Sequence, residues 1–412
     1  MADLPDDTAM EDPCVEVRVI GEPKGKGLFA VKPFKAGEVI FEERPLVCCQ
    51  FAWNYAYGYL ACDFCLRPLE SAEENVRRLT RKKDLILPYP HCCPTNKETH
   101  TDCPSCGVQY CNTSCKDQAW NQYHRTLCLR SHLHNANHPL EQLNEAWKHM
   151  HYPPESASIM LLARMVATVQ QAEDPAGAMH LFLQFCHRTV NEEEEIAHKL
   201  LGEQFSGQLQ LLRELMAQAL YSDSVQEWFM PDGFRSLVAL VGTNAQGVGT
   251  SPFSEWVKKV TELELPTDEK QKLDSFIDKL YEDLDDELGG FLNTEGSALY
   301  PLQSACNHSC EPNAMPTFPH SNFQLTMCAI KDIAPGEEIY ISYLDECALE
   351  RSRHSRLKIL RENYLFTCHC TKCEAQIGDP DESSEDEEDD CEAEEEKEHM
   401  KAHSQLEKQA AH

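Results

Sequence analysis

Eight residues between positions 62 and 128 have the types and spacing of a metal-binding set. They are Cys62 and Cys65, Cys103 and Cys106, Cys111 and Cys115, then His124 and Cys128. Seven thiols and one imidazole are the number that two tetrahedral zinc ions need at four ligands each. A Cys-x2-Cys pair folds into a tight knuckle, and the pairs spaced four apart share one face of a helix. A second group, Cys368, Cys370 and Cys373, supplies three ligands, one short of a structural zinc site. The acidic N-terminus has no apolar stretch of the secretory kind, so the 21 cysteines read as reduced thiols. The expected compartment is cytoplasm, nucleus or both.

Three further strings carry polar groups among small residues: Lys24 to Ala30, Asn307 to Asn313 and Pro335 to Tyr343. The first has the glycines of a tight turn but lacks the Gly-Lys-[Ser/Thr] ending of a phosphate-binding loop.

The elements that must position these groups follow from patterning. Val15 to Ile20 alternates as a strand, and turn-then-strand signals continue to residue 60. Residues 139–288 are helical in pattern over Ala157 to Gln171, Glu192 to Leu201, Gln208 to Tyr221 and Glu269 to Leu288. Short strands return over 291–345, and a helix is expected over Arg351 to Tyr364. The fold class is therefore α+β, a β-rich domain interrupted by insertions. The apolar run Ile159 to Val169 is broken by Arg164 and is too short to span a bilayer.

Net charge is −32. Residues 379–398 hold 14 acids and one lysine, and the rest of the chain still carries −19. This low-complexity acidic tail is too polar to fold alone. Such a balance attracts basic proteins, of which histones and ribosomal proteins are the abundant kinds, and argues against direct nucleic-acid binding. A monomer is expected.

In this order, the Gly-Lys-Gly-Leu-Phe-Ala, Asn-His-Ser-Cys-x-Pro-Asn and Gly-Glu-Glu-Ile-x-Ile-Ser-Tyr strings resemble the SET domain of protein-lysine methyltransferases. The eight-ligand set resembles a MYND zinc finger. A finger lying between the first string and the others resembles the SET-and-MYND domain protein-lysine methyltransferase family over residues 15 to 378. The resemblance implies these parts: 15–61 as the N-terminal part of the SET domain, 62–128 as the finger, 139–290 as a helical insertion, 291–345 as the catalytic core, 346–378 as a post-SET helix and zinc cluster, and 379–412 as a disordered tail. It implies S-adenosylmethionine as methyl donor and three zinc ions. Interleaved pairing would put Cys62, Cys65, Cys111 and Cys115 on one ion and Cys103, Cys106, His124 and Cys128 on another. Cys310 would join Cys368, Cys370 and Cys373 on the third. Lys24 and Lys26 would lie in the loop near the cofactor carboxylate, with Asn244, Asn307 and His308 as further cofactor contacts. Phe366 would stack near the adenine, and Tyr343 would sit beside the transferred methyl as the catalytic residue.

The sequence departs from the finger pattern in one place: 37 residues separate Cys65 from Cys103. This insert carries Arg77, Arg78, Arg81, Lys82 and Lys83, read as a solvated loop with a nuclear-import or docking patch as alternative, and Cys92 and Cys93, unneeded as ligands. The competing reading of the whole is an inactive scaffold whose finger binds proline-containing peptides.

Overall fold

The alternating N-terminal segment forms a hairpin, and the rest of a discontinuous β-layer is built around it. The computed structural model describes residues 13–21, 25–131, 135–150, 157–186, 205–288 and 296–379. Lys24, the helix expected over Glu192 to Leu201 and the tail from residue 380 lie outside these residues. In chain order the strands are β1 (Val15–Gly21), β2 (Gly25–Ala30), β3 (Val39–Glu43), β4 (Val47–Gln50), β5 (Thr101–Asp102), β6 (Gln109–Tyr110), β7 (Gln246–Val248), β8 (Gly296–Leu299), β9 (Asn307–His308), β10 (Ala314–Thr317), β11 (Leu325–Ala329) and β12 (Tyr340–Ile341). They make small sheets in the orders β1-β2, β10-β11-β3, β4-β8-β7, β12-β9 and β5-β6. All pairings are antiparallel except β12 with β9, where Tyr340 faces Asn307 and Ile341 faces His308. Leu28, Ala30, Ile40, Leu325, Met327, Ile339 and Ile341 fill the core between these strands.

Helix Ile159–Gln171 is the hub of the helical part. Ser158 caps it by accepting the Met160 N–H. Leu161, Ala163, Met165, Val166, Ala167 and Val169 are all fully buried, so apolar residues surround the axis rather than forming one stripe. Leu143, Leu212, Met216 and Phe234 from the flanking helices pack with it. Arg164, which breaks the apolar run in sequence, is buried on this helix. Its Nη1–H donates to the carbonyls of Cys48 (2.8 Å) and Asp63 (2.6 Å) and to the Tyr123 hydroxyl (3.0 Å). Its other nitrogen is ion-paired with the Asp63 carboxylate, and its guanidinium lies over the Tyr123 ring at 4.5 Å. No described helix is long and apolar enough to cross a membrane.

The insert between Cys65 and Cys103 is not a solvated loop, and this corrects the sequence reading. Helix Ala72–Leu79 opens with a capping box in which Ser71 and Glu74 satisfy each other's backbone N–H. Val76, Leu79 and Leu87 pack against Phe253, Trp256, Val260, Ile277 and Leu280 of helices Pro252–Thr261 and Thr267–Leu288. Trp256 Nε1–H donates to the Pro88 carbonyl at 2.9 Å. Arg78 pairs with Glu70, Arg77 with Glu73, Arg81 with Glu287 and Lys82 with Asp283. The basic run is thus largely neutralised by acids from within the fold. Cys92 is buried in the same apolar cluster, and neither it nor Cys93 joins a ligand cluster among the described residues.

Candidate active site and metal centres

Three clusters of four ligands form, with the membership that the family resemblance implies: Cys62, Cys65, Cys111 and Cys115; Cys103, Cys106, His124 and Cys128; Cys310, Cys368, Cys370 and Cys373. Within each, the ligand atoms all lie within 4.8 Å of one another. Tetrahedral zinc with ~2.3 Å Zn–S bonds needs sulfurs about 3.8 Å apart. Cys65 and Cys111 are 3.7 Å apart, Cys111 and Cys115 3.5 Å, Cys103 and Cys128 3.9 Å, and Cys310 and Cys373 3.5 Å. These separations fit zinc and are far too long for disulfides. One detail differs from the spacing argument. Cys111 precedes helix Thr113–Ala119 rather than sharing it with Cys115, and Asn112 caps that helix by accepting the Cys115 N–H at 2.8 Å. Arg356, missed by the sequence reading, is fully buried behind the third cluster. Its guanidinium donates to Cys373 Sγ (3.7 Å), Gln376 Oε1 (2.7 Å) and the Arg351 carbonyl (2.5 Å). A cation beside four thiolates offsets part of their mutual repulsion.

The three polar strings meet at one cleft of about 1770 Å³. Their meeting is encoded in backbone pairing. Ala30 N–H donates to the Glu337 carbonyl and Ile339 N–H to the Leu28 carbonyl, stitching β2 to residues 336–339. The next two residues form β12 beside β9. Gly27 permits a close approach at this junction. A Cβ there would lie 2.6 Å from Ile20 Cδ1, 2.8 Å from Glu338 Oε1 and 3.1 Å from Asn307 Nδ2. Gly27→Ala is therefore expected to push the Asn307 amide aside and weaken S-adenosylmethionine binding about tenfold or more while the fold survives. Calorimetric titration of wild type and variant tests this, and unchanged affinity would refute it.

Asn307 donates both amide hydrogens within the protein, to the Lys26 carbonyl (2.9 Å) and Glu338 Oε1 (2.7 Å). What it can offer a ligand is its oxygen, an acceptor suited to an ammonium group. Burial pushes His308 down to about 4, so the ring is neutral at pH 7. Its Nδ1 accepts the Tyr343 N–H at 3.0 Å, which leaves the proton on Nε2, 3.4 Å from Cys310 Sγ. One imidazole thus ties the cleft to the third metal cluster. The His308, Tyr343, Tyr364 and Phe366 rings form an aromatic wall. Tyr343 is 5.4 Å from His308 and 4.8 Å from Tyr364 by ring centroids, and Phe366 is 6.0 Å from His308. Burial raises the Tyr343 pKa, which keeps it a phenol, and its hydroxyl donates to the Cys306 carbonyl at 2.7 Å.

Lys26 and Asn244 line the cleft, with their donors turned to the backbone. The Lys26 ammonium donates to the Gln184 carbonyl at 2.9 Å, and burial lowers its pKa. Asn244 donates to the carbonyls of Cys186 (2.7 Å) and Leu240 (2.8 Å). Gln303, also in the wall, was not singled out by sequence. It donates to Gln246 Oε1 at 3.0 Å, and its own buried Oε1 has no partner among the described residues.

Residues 178–344 match the SET domain family. The chain is 56% identical to protein-lysine N-trimethyltransferase SMYD5 of Danio rerio, over 93% of this chain and 92% of that protein. It is 57% identical to the Homo sapiens protein of the same name, over 90% of this chain and 89% of that one. Histone-lysine N-methyltransferase SMYD3 of Homo sapiens is 26% identical, over 87% of this chain and 61% of its own length. Likeness this high along nearly the whole chain, together with three motifs folded onto one cleft, leads to one assignment: the chain belongs to the SET-and-MYND family of protein-lysine methyltransferases.

Proposed function

We propose that this chain methylates lysine side chains of basic proteins, histones or ribosomal proteins among them, in the cytoplasm, the nucleus or both. The observation that carries the reading is the convergence of Lys26, Asn307, His308, Tyr343 and Phe366 on a single cleft closed by the third cysteine cluster. S-adenosylmethionine would supply an electrophilic sulfonium methyl. Asn307 would accept from its amino group, Lys26 and Asn244 would border its amino-acid end, and Phe366 would cover its adenine. The chain's net charge of −32 favours lysine-rich partners. As in the similar protein-lysine N-trimethyltransferases, up to three methyl groups are proposed per lysine.

The amine must be neutral to attack. With an ordinary lysine pKa near ~10.4, about one amine in ~2,500 is neutral at pH 7, a cost of roughly 4.6 kcal/mol. A cleft walled by Tyr343, Tyr364, Phe366 and neutral His308 disfavours the ammonium and lowers that cost. Tyr343 stays protonated and is no general base. With its hydrogen given to Cys306, its oxygen keeps lone pairs for the amine N–H or for weak C–H···O contacts to the methyl. Positioning and desolvation would supply most of the rate. Zinc would play a structural part, held by the three clusters.

The test is transfer of labelled methyl from S-adenosylmethionine to a panel of histones and ribosomal proteins, with mass spectrometry of the modified residues. Label on lysine supports the reading. No label and no cofactor binding by calorimetry would instead favour a peptide-binding zinc scaffold.

A further inference from the structure

Glu43 ends β3 and belongs to none of the motifs, yet its half-buried carboxylate reaches the turn that precedes Asn307. Oε1 accepts the Leu302 N–H at 2.7 Å and Oε2 the Gln303 N–H at 3.0 Å. These amides open the 3-10 turn Gln303–Ala305, to which Leu302 itself gives no side-chain cap. The turn is closed by Ala305 N–H to the Leu302 carbonyl and Cys306 N–H to the Gln303 carbonyl, each 3.0 Å. At its far end, the Cys306 carbonyl accepts the Tyr343 hydroxyl. One carboxylate therefore pins the start of a single turn whose end orients the phenol.

We propose that Glu43 is a positioning residue for methyl transfer: its ionised carboxylate caps the 302–306 turn and thereby fixes the Cys306 carbonyl that aims Tyr343. The inference rests on the reading of Tyr343 as the residue beside the transferred methyl. An ionised carboxylate offers an acceptor to each amide, whereas protonation turns one of them into a hydroxyl. Burial pushes Glu43 up to about 7, against the lowering by its two backbone N–H bonds. The ionisable groups around it are Tyr300 and Cys306 on the turn side, both held neutral by burial. Beside it along the chain are Arg44 and Glu42. Glu42 faces outward to His320 (2.6 Å) and Gln324 (2.7 Å). β11 places Leu325 opposite.

The proton acts in opposite directions on stability and turnover. A carboxyl raised in the folded state contributes stability that is fully present below the ordinary carboxylate pKa and lost as pH rises through about 7. The cap is complete only above that pH. Turnover attributable to the cap therefore grows while this group's contribution to stability declines.

The experiment uses the full-length zinc-loaded protein and a histone-tail peptide, comparing wild type, Glu43→Gln, Glu43→Asp and Tyr343→Phe between pH 6 and 9. Glu43→Gln is expected to lower kcat about tenfold at pH 8. Cofactor affinity and peptide KM should stay within about twofold. Glu43→Gln should also lose an inflection near 7 that wild type and Glu43→Asp show. In nitrogen-15 spectra, the Leu302 and Gln303 amides should titrate with a midpoint near 7 in wild type and not in Glu43→Gln. Tyr343→Phe with wild-type kcat would overturn the Tyr343 reading and this inference together. An inactive Tyr343→Phe beside a Glu43→Gln that keeps wild-type kcat and inflection would overturn this inference alone. So would Leu302 and Gln303 amides whose chemical shifts are the same in wild type and Glu43→Gln.

Discussion

Tyr343→Phe is expected to lower kcat by about 10²-fold or more while cofactor affinity changes little. The hydroxyl has one hydrogen-bond donor, and the Cys306 carbonyl takes it. Phenylalanine keeps the ring that packs against His308, Tyr364 and Phe366, so the aromatic wall survives. What disappears is the oxygen that the proposed mechanism places beside the transferred methyl, and the bond that fixes its direction. The Cys306 carbonyl loses one partner, a cost of about 1–3 kcal/mol that the fold can bear. A variant whose melting temperature is near wild type and whose labelled transfer is nearly gone would bear this out. Turnover close to wild type would remove Tyr343 from the mechanism.

The second large effect is on stability. Arg164→Met should destabilise the protein by about 3 kcal/mol and lower its melting temperature by roughly 5 °C. The arginine joins three parts of the chain: helix Ile159–Gln171, the Cys48 carbonyl of β4 and the Asp63 side chain beside the first zinc ligand. Methionine fills similar space, but the Asp63 carboxylate loses its cationic partner and the Cys48 and Asp63 carbonyls each lose a donor, while the Tyr123 hydroxyl stays on Asp63. Asp63 keeps some contact with water, which holds the figure at the low end for a broken buried pair. A double variant, Asp63→Asn with Arg164→Met, should recover part of the loss, because the orphaned charge is gone. Calorimetry of the single and double variants decides it. Equal melting of wild type and Arg164→Met would mean the network contributes nothing net.

Arg164 also shows where sequence reading stops. A lone arginine in an apolar run looks like an interruption, and its charged partner, Asp63, lies 101 residues upstream. The basic run of the insert misled for the same reason: its carboxylate partners at 283 and 287 sit on a helix about 200 residues away. Glu43 and Gln303 were silent because neither belongs to a motif. The zinc ligands, by contrast, were legible because a Cys-x2-Cys knuckle makes its geometry within four residues. The pairing of knuckles and the fourth ligand, Cys310, came from likeness to a family rather than from spacing. Asn307, His308, Tyr343 and Phe366 were legible as members of strings. That the Asn307 amide faces inward and its oxygen remains for a ligand needed coordinates.

The union of β2 with residues 336–339, and of β9 with β12, has a consequence for how the chain comes into being. The β1-β2 hairpin cannot complete its pairing until a segment roughly 300 residues later is made. At ordinary synthesis rates of about 5–20 residues per second, that is a wait of roughly 15–60 s. During that interval the unpaired edge of β2, with Leu28 and Ala30, stays open to wrong partners. The methyl-transfer cleft thus takes shape only late in synthesis, and nascent chains stalled before residue 336 should depend on chaperones for solubility.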